Sequence, residues 1–455
     1  MRHLPWLASL ALGSGSAWAA CPAPPEPRML RWQDPLAARP GPDCPRPFPA
    51  ALKGLPLGDG GTLSLGGEWR VRVEAADRPD FGLAEAADRA ILQRLLLHAD
   101  AQLSDHVRGF VQIGSFIGSR RLGEGPTDVS RLDLTQAFVE IGRRNGSGGP
   151  MLRLGRQEVA LGSSRLISVR DSPNIRRSFD GVRGRFGLGK AQFDGFWLRP
   201  IQLRPGVFDD VSDRNEQVYG LFGTLDMQPA GRLGFNLYWI GYERQQARFQ
   251  AGSGRERRHS FGARVYGAAG SWDWDIEPVI QVGRFGTGRI AAWTVASAFG
   301  HSWPGQPLAP RLGLKADIAS GDRDRNDNKL GSFNALYPRL PYFTEAGLAV
   351  PTNIMDLHPT LSLTPEKSVD VTLGANFLWR HRRADAVYVP PLRPFLDPGA
   401  GSRFVGTQFE ANVEWEAAPG WAVKLALVHF AASDSLRAIG ARSSNFMASS
   451  IGYRF

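Results

Sequence analysis

The most constraining feature of this chain is the alternation of apolar and polar side chains in many separate segments. Between residues 63 and 73 the odd positions read Leu, Leu, Gly, Trp, Val and Val, whereas the even positions read Ser, Gly, Glu, Arg and Arg. Residues 369–380 and 405–416 repeat the pattern. A period of two indicates β-strands whose two faces meet different surroundings. One such strand would suit a soluble sandwich with one solvated face equally well.

The number of these segments and the composition favour a membrane barrel. Charged residues make up 22% of the chain, and the predicted mature chain has no run of about 18 apolar residues that a membrane-spanning helix needs. Eighteen candidate strands fit between residues 61 and 455. An even number returns both chain ends to one side, and about 16 to 18 strands enclose an aqueous lumen. We therefore predict an all-β fold, a transmembrane antiparallel β-barrel of about 18 strands.

Both ends of the chain predict export to the outer membrane of a Gram-negative bacterium. Residues 1–19 combine Arg2 and His3 with an apolar core and small residues around Ala19, which is typical of a cleaved secretory signal peptide. The last eleven residues, NFMASSIGYRF, alternate and end at Phe455. They resemble the closing-strand signal by which the barrel assembly machinery recognises outer-membrane barrels. We expect residues 59–455 to form the barrel.

Residues 20–58 are rich in proline and show neither strand nor helix periodicity, so we expect an extended periplasmic arm. The arm contains both cysteines, Cys21 and Cys44. In an oxidising compartment they predict one disulfide. Cys21 also raises the alternative of a lipid anchor, although Trp18 stands where a lipoprotein signal has a small aliphatic residue.

A dense arginine cluster lies between residues 153 and 185, with eight arginines, no lysine and three acidic residues. Guanidinium groups bind carboxylates and phosphates through two hydrogen bonds at once, so the cluster predicts an anionic partner. Export makes a nucleic acid an unsuitable partner. The alternatives are contacts with lipopolysaccharide and ion pairs in loops, because arginine outnumbers lysine 48 to 6 throughout the chain.

We place the cluster inside the predicted pore, where arginines in a narrow lumen attract anions. Asp171 and Asp180 are expected to hold the guanidinium groups in place. The predicted pore-lining arginines are Arg153, Arg156, Arg170, Arg176, Arg177 and Arg183. Strand parity adds the lumen candidates Arg70, Arg72, Arg94, Arg108 and Lys315.

Two blocks of sequence resemble the alginate export family of outer-membrane barrels. The first is GRQEVALGSSRLISVRDSPNIRRSFDGVR at 155–183, preceded by DLTQAFVEIG at 133–142. The second, at 319–363, includes ASGDRDRNDNKLGSFNALYPRLPYFTEAGL and NIMDLHPTLSL. The resemblance implies a passive channel that exports an anionic polysaccharide, an alginate-like polyuronate, across the outer membrane. We expect a monomer that receives its polymer from periplasmic export partners.

The loop after Gly321 spaces side-chain oxygens as calcium loops do. Its candidate ligands are Asp322, Asp324, Asn326, Asp327 and Asn328. The loop lacks the glycine and glutamate that an EF-hand requires, so a solvated turn is the preferred interpretation, and no other cofactor is expected.

The sequence contains no HExxH, GxSxG or Walker motif. We therefore predict a channel and no enzyme. The remaining alternatives are a general or small-anion porin, a barrel hydrolase whose site assembles in space, and an adhesin.

Overall fold

The alternating segments form the strands of one large sheet. This computed structural model describes residues 27–34, 48–58, 60–119, 125–142, 149–227, 232–396 and 401–455. Eighteen long strands, β1 to β18, follow one another along the chain. They are Gly61–Ala76, Asp88–Gln102, Val107–Ser119, Ser130–Gly142, Met151–Gln157, Phe179–Leu188, Ala191–Gln202, Glu216–Met227, Arg232–Phe249, Gly252–Ala269, Trp272–Phe285, Gly288–Ser302, Arg311–Ala319, Ile354–Glu366, Val369–Arg380, Phe404–Ala418, Trp421–Ala432 and Ser444–Arg454.

Each of these strands pairs antiparallel with its neighbours in sequence, and the sheet closes on itself. At the closure β1 lies beside β18, with Glu68 opposite Arg454 and Trp69 opposite Tyr453. The backbone of Phe455 exchanges two hydrogen bonds of 3.1 Å with Gly67. Closure leaves no long strand with an unpaired edge. The predicted fold, an antiparallel β-barrel of about 18 strands, is confirmed.

Short elements complete the described structure. Two 3-10 turns, Arg31–Gln33 and Ala50–Leu52, precede the barrel, and the short helices Pro79–Gly82 and Asp434–Arg437 lie between strands. Within the described ranges, no helix combines the length and apolar character that crossing a membrane requires. Five further short strands lie outside the set of eighteen. They are Leu55–Leu57, Val211–Ser212, Lys329–Leu330, Val387–Val389 and Arg393–Leu396.

The two ends of the barrel differ. At the end where β1 starts and β18 finishes, consecutive strands are joined by connections of two to eight residues. At the opposite end, long loops include 158–178, 320–353 and 381–403. We call these the short-turn end and the long-loop end.

The two faces of the wall also differ. Outward side chains are apolar and exposed, for example Leu237 at 72% and Ile280 at 58% of full exposure. Inward side chains are often polar and buried, as are Glu256, Arg258 and Gln281. A soluble protein does not present an apolar outer wall around a polar interior, whereas a lipid-embedded barrel requires this arrangement.

Two of the long loops fold into the barrel. We call residues 158–178 the arginine loop and residues 320–353 the crossing loop. Their apolar residues, among them Ile167 and Tyr337, pack with inward residues of β8, β9, β11 and β12 in one large core. Ile167 forms a backbone bridge with Tyr337, which ties one loop to the other. The interior is therefore partly filled by the protein's own chain.

The arm before the barrel also enters the interior. The ring of Trp32 packs with Leu30, the inward-facing Phe110 and Phe138, and Val169 of the arginine loop. Arg31 donates hydrogen bonds to the carbonyl oxygens of Gly67 and Phe455. This part of the arm departs from the expected extended periplasmic segment because burying Trp32 removes a large apolar ring from water.

A glycine near the end of β5 has a backbone conformation that other residues rarely adopt. Gly155 in β5 has φ +124°, and a Cβ there would lie 2.2 Å from the carbonyl oxygen of Ala137. We expect Gly155→Ala to destabilise the barrel by about 1–3 kcal/mol because the backbone must leave a conformation that favours glycine. The measurement is urea unfolding in lipid vesicles, followed by tryptophan fluorescence.

The matched control is Gly184→Ala on the neighbouring strand β6. Outside the two adjacent residues, the nearest atom to a Cβ at Gly184 is the carbonyl oxygen of Met151, at 3.9 Å. Equal losses of stability in the two variants would contradict the role assigned to Gly155.

Candidate translocation site

The arginine loop lies against the inner wall of β1, β2 and β3. Strand β5 ends at Gln157 and β6 begins at Phe179, so the chain leaves the wall between them. Val159, Leu161, Leu166 and Ile167 bury their side chains in the interior core. This burial turns the loop inward and places its charged second half, residues 170–177, against the wall.

Five charged side chains connect the loop to the wall. Arg176 donates to Asp171 at 2.6 Å and to Glu68 of β1 at 2.8 Å. Arg94 of β2 pairs with the same two carboxylates, at 2.9 Å from Glu68 and 2.8 Å from Asp171. Arg454 of β18 adds a bond of 3.0 Å to Glu68. Asp171 therefore pairs with one guanidinium group of the loop and one of the wall.

The pKa values of the loop residues reflect this pairing. Burial opposes charge on Arg176, but Asp171 and Glu68 outweigh it and raise the guanidinium pKa above its ordinary value. Burial likewise opposes charge on Asp171, yet Arg176 and Arg94 hold its pKa well below the ordinary range. Both groups therefore stay ionised, and removing either partner would leave a buried charge uncompensated.

Hydrogen bonds to backbone carbonyl oxygens hold the loop at the same place. Arg70 of β1 donates to the carbonyl oxygens of Asp171, Ser172 and Pro173 at 2.9 to 3.0 Å. The fully buried Asn174 donates to the carbonyl oxygen of Asp128 at 2.8 Å. The lumen candidates Arg70 and Arg94 thus act as anchors for the loop.

Arg170 and Arg177 lie at the junction between the two loops. Arg170, whose φ of 55° is left-handed, donates to the carbonyl oxygens of Leu336 and Pro338 in the crossing loop. Both guanidinium groups lie about 6 Å from the ring of Tyr337. Burial, followed by the neighbouring charge of Arg177, lowers the pKa of Arg170 to about 9.

Arg153, Arg183 and Arg108 surround the arm segment. The Arg153 guanidinium stacks 3.7 Å from the centre of the Trp32 ring and pairs with Glu140 at 2.6 Å. Arg183 pairs with Asp194 at 2.8 Å, and Arg108 donates to the carbonyl oxygen of Trp32 at 2.7 Å. These three arginines point inward, but Trp32 covers them.

Arg72 and Lys315 lie on different parts of the inner wall. Arg72 of β1 pairs with Glu74 at 2.7 Å and with Glu345 of the crossing loop at 3.0 Å. Lys315 lies on β13 opposite His358 of β14. His358 in turn pairs with Glu410 at 2.8 Å. Arg72 therefore joins the crossing loop to the wall, whereas Lys315 lies beside a histidine–glutamate pair.

Arg156 and Asp180 do not face the interior, which corrects our prediction for these two residues. The register places them opposite each other, in the outward row next to the exposed Leu154 and Val182. They form a pair at 2.9 Å. Residues three apart on a strand point to opposite faces, so Arg153 and Arg156 cannot both line the pore, nor can Asp180 and Arg183.

The loop at 322–328 forms a hydrogen-bonded turn. Asp322 accepts from the backbone N–H groups of Arg323 and Gly331, and Asp324 accepts from that of Asn326. Burial, with the charge of Asp385 nearby, raises the pKa of Asp322 to about 6. Among the described residues, the acidic side chains whose possible ligand atoms lie within 4.8 Å of one another are outside this loop. They are Asp133, Asp209 and Asp210. Calcium binding at 322–328 stays the alternative to the preferred solvated turn.

The predicted signal peptide, Cys21 and Cys44 lie outside the described residues. Sequence reasoning missed Trp32, Asn174, Tyr337 and Glu345. Asn174 and Tyr337 lie within the two family-like blocks, so those motifs could have indicated them. Trp32 lies in the proline-rich arm, where no periodic pattern marks it.

Glu158, at the start of the arginine loop, is fully buried, and neither carboxylate oxygen has a hydrogen-bond partner among the described residues. Burial raises its pKa to about 7, and Arg176 and Arg94 counteract part of that shift. Because the folded pKa exceeds the ordinary value of 4.5, the protonated carboxyl stabilises the fold at acidic pH. This contribution is lost as the pH rises from about 4.5 through 7.

We therefore expect wild-type stability to fall relative to that of Glu158→Gln between pH 5 and pH 8, by at most roughly 3 kcal/mol. Urea unfolding of both proteins in vesicles across this range measures the difference. Parallel pH profiles of stability for the two proteins would contradict the raised pKa of Glu158.

Comparisons with known proteins agree with this geometry. The alginate export family profile matches residues 62–450. No curated protein matches the sequence. Among solved structures, OccK9 (OpdG) of Pseudomonas aeruginosa is similar at 12% identity and a TM-score of 0.58, over 86% of this chain and 98% of that chain.

Two further structures show the same fold. OpdO of Pseudomonas aeruginosa is 14% identical with a TM-score of 0.57, over 86% of this chain and 97% of that chain. OccAB1 of Acinetobacter baumannii is 10% identical with a TM-score of 0.55, over 86% of this chain and 96% of that chain. The family match extends over both inward-folded loops, and the fold is that of outer-membrane porins. The chain therefore belongs to the alginate export family and is an outer-membrane β-barrel channel of a Gram-negative bacterium.

Proposed function

We propose that the channel exports an anionic polysaccharide of the polyuronate class. The observation that carries the proposal is an arginine-rich side of the interior, built by β1, β2, β3, β5, β6 and the arginine loop. Its inward or loop arginines are Arg70, Arg72, Arg94, Arg108, Arg153, Arg170, Arg176, Arg177 and Arg183. Fixed guanidinium groups in a narrow, low-dielectric interior favour carboxylates over cations.

The partners of these arginines divide them into two groups. Six of them pair with carboxylates, so their charge is largely balanced; they are Arg72, Arg94, Arg108, Arg153, Arg176 and Arg183. In the described part of the chain, no ion pair involves Arg70, Arg170 or Arg177. Carbonyl oxygens hold the first two, and Arg177 lies over Tyr337. These three supply positive charge that fixed carboxylates do not cancel.

This mixture of positive and negative side chains suits the passage of an anionic polymer. A polymer that met nine uncompensated arginines would bind too tightly to leave, whereas conduction requires contacts that are weak and repeated. The carboxylates Glu68, Asp171 and Glu345 lie beside the arginines and limit the attraction. A polyuronate carries one carboxylate per sugar, so successive units could exchange between neighbouring guanidinium groups.

A second candidate function is a channel for small anions. The observation that favours it is the filling of the interior by the arginine loop, the crossing loop and the arm around Trp32. Monomeric organic acids need less space than a polysaccharide chain.

Flux from loaded vesicles separates the two functions. Vesicles that contain the channel are filled with uronate oligomers of defined length or with neutral oligosaccharides of the same length. The export function predicts release of uronate oligomers well beyond the disaccharide and slower release of the neutral ones. Release of monomers alone would support the small-anion channel.

Ion selectivity tests the contribution of the uncompensated arginines. We expect the double variant Arg70→Gln/Arg177→Gln to lower the anion-to-cation permeability ratio roughly two- to fivefold, because two interior charges are lost while an amide remains to bind carbonyl groups. The reversal potential in a potassium chloride gradient measures the ratio.

The control is Arg89→Gln/Arg131→Gln, which removes two exposed arginines. A ratio that is unchanged in the first variant, or that falls equally in both, would refute the pore-lining role of Arg70 and Arg177.

A further inference from the structure

A row of cations crosses the outer surface of the barrel near its long-loop end. The strand register places Arg257 of β10 opposite Arg284 of β11, and Arg284 opposite Arg289 of β12. The short strand 329–330 continues the row and sets Lys329 beside Arg289. Four positive side chains thus occupy directly neighbouring positions on adjacent strands.

These side chains face outward. All four are exposed, whereas the alternate residues Arg258, Phe285 and Ile290 are buried in the interior. Below the row, the same outward face carries Phe261, Ile280 and Trp293, which are paired in register with one another. The vertical offset is four residues, about 13 Å along a strand. The cations therefore lie just beyond the apolar band that contacts lipid tails.

Fixed carboxylates balance little of this charge. Glu243 of β9 lies 3.8 Å from Arg257 and 3.1 Å from Arg255, which precedes Arg257 by two residues on β10. Asp327 accepts a hydrogen bond from the backbone N–H of Lys329. Among the described residues, no ion pair involves the side chains of Arg284, Arg289 or Lys329. Like charges directly opposite on neighbouring strands repel, so the bare row costs stability.

We propose that this row binds the phosphate groups of an anionic glycolipid in the outer leaflet. The long-loop end of an outer-membrane barrel is the extracellular end. The row therefore lies at head-group level on the lipid-facing wall, where the transported substrate does not pass. Arginine binds phosphate through two parallel hydrogen bonds, and three arginines at the spacing of adjacent strands suit a head group with two phosphates.

The test compares two lipids that differ by one phosphate. Bisphosphorylated and monophosphorylated lipid A, with the same acyl chains, are titrated onto the purified full-length barrel in neutral detergent, and native mass spectrometry measures binding. We expect the wild type to prefer the bisphosphorylated lipid, and Arg257→Gln/Arg284→Gln/Arg289→Gln to bind it at least roughly tenfold more weakly.

The matched control is Arg89→Gln/Arg131→Gln/Arg442→Gln, which removes three exposed arginines that do not form a row. Its affinity is expected to change less than about twofold. If the triple variant of the row fails to fold, the single variant Arg284→Gln is used, with a loss of roughly threefold expected. Unchanged affinity, equal binding of both lipids, or displacement of the lipid by a soluble uronate oligomer would overturn the proposal. None of these outcomes bears on the proposed export function, because that function is tested by measuring flux through the interior.

Discussion

The structure depends on the pairing of every backbone N–H and C=O group that lies in the membrane. Lipid offers these groups no hydrogen-bond partner, so a sheet in a bilayer must close on itself. Here closure takes place between β1 and β18, where Glu68 faces Arg454 and Phe455 pairs with Gly67. Once the sheet is closed, the two-residue period of each strand sends one set of side chains to lipid and the other to the interior.

Closure creates an interior that the strands alone do not fill, and the inward-folded loops depend on the wall for support. Buried guanidinium groups are costly unless hydrogen bonds and opposite charges surround them. Glu68 supplies this compensation for Arg94 and Arg176 together, so one carboxylate of the first strand joins β2 to the arginine loop. The same pairs that offset the desolvation cost also fix the shape of the interior.

Much of the fold could be predicted from the sequence, because alternation is a local signal repeated over whole strands. It gave the number of strands and the inward orientation of Arg72, Arg108 and Lys315. Arg156 was misplaced because the whole arginine cluster was assigned to the pore, although Arg153 and Arg156 lie three apart on β5 and face opposite ways. Contacts such as that of Arg170 with Leu336, 166 positions away, leave no local pattern.

The protein uses arginine in two environments with opposite requirements. Inside, guanidinium groups such as Arg94 and Arg176 are buried and therefore need permanent partners from the chain. Outside, Arg284 and Arg289 remain exposed, so water solvates them and no fixed carboxylate is required for folding. A charge that folding does not have to neutralise remains available to a ligand. The contrast separates most of the interior arginines, which the chain's own carboxylates bind, from the outer row, whose charge we propose that an external anion neutralises.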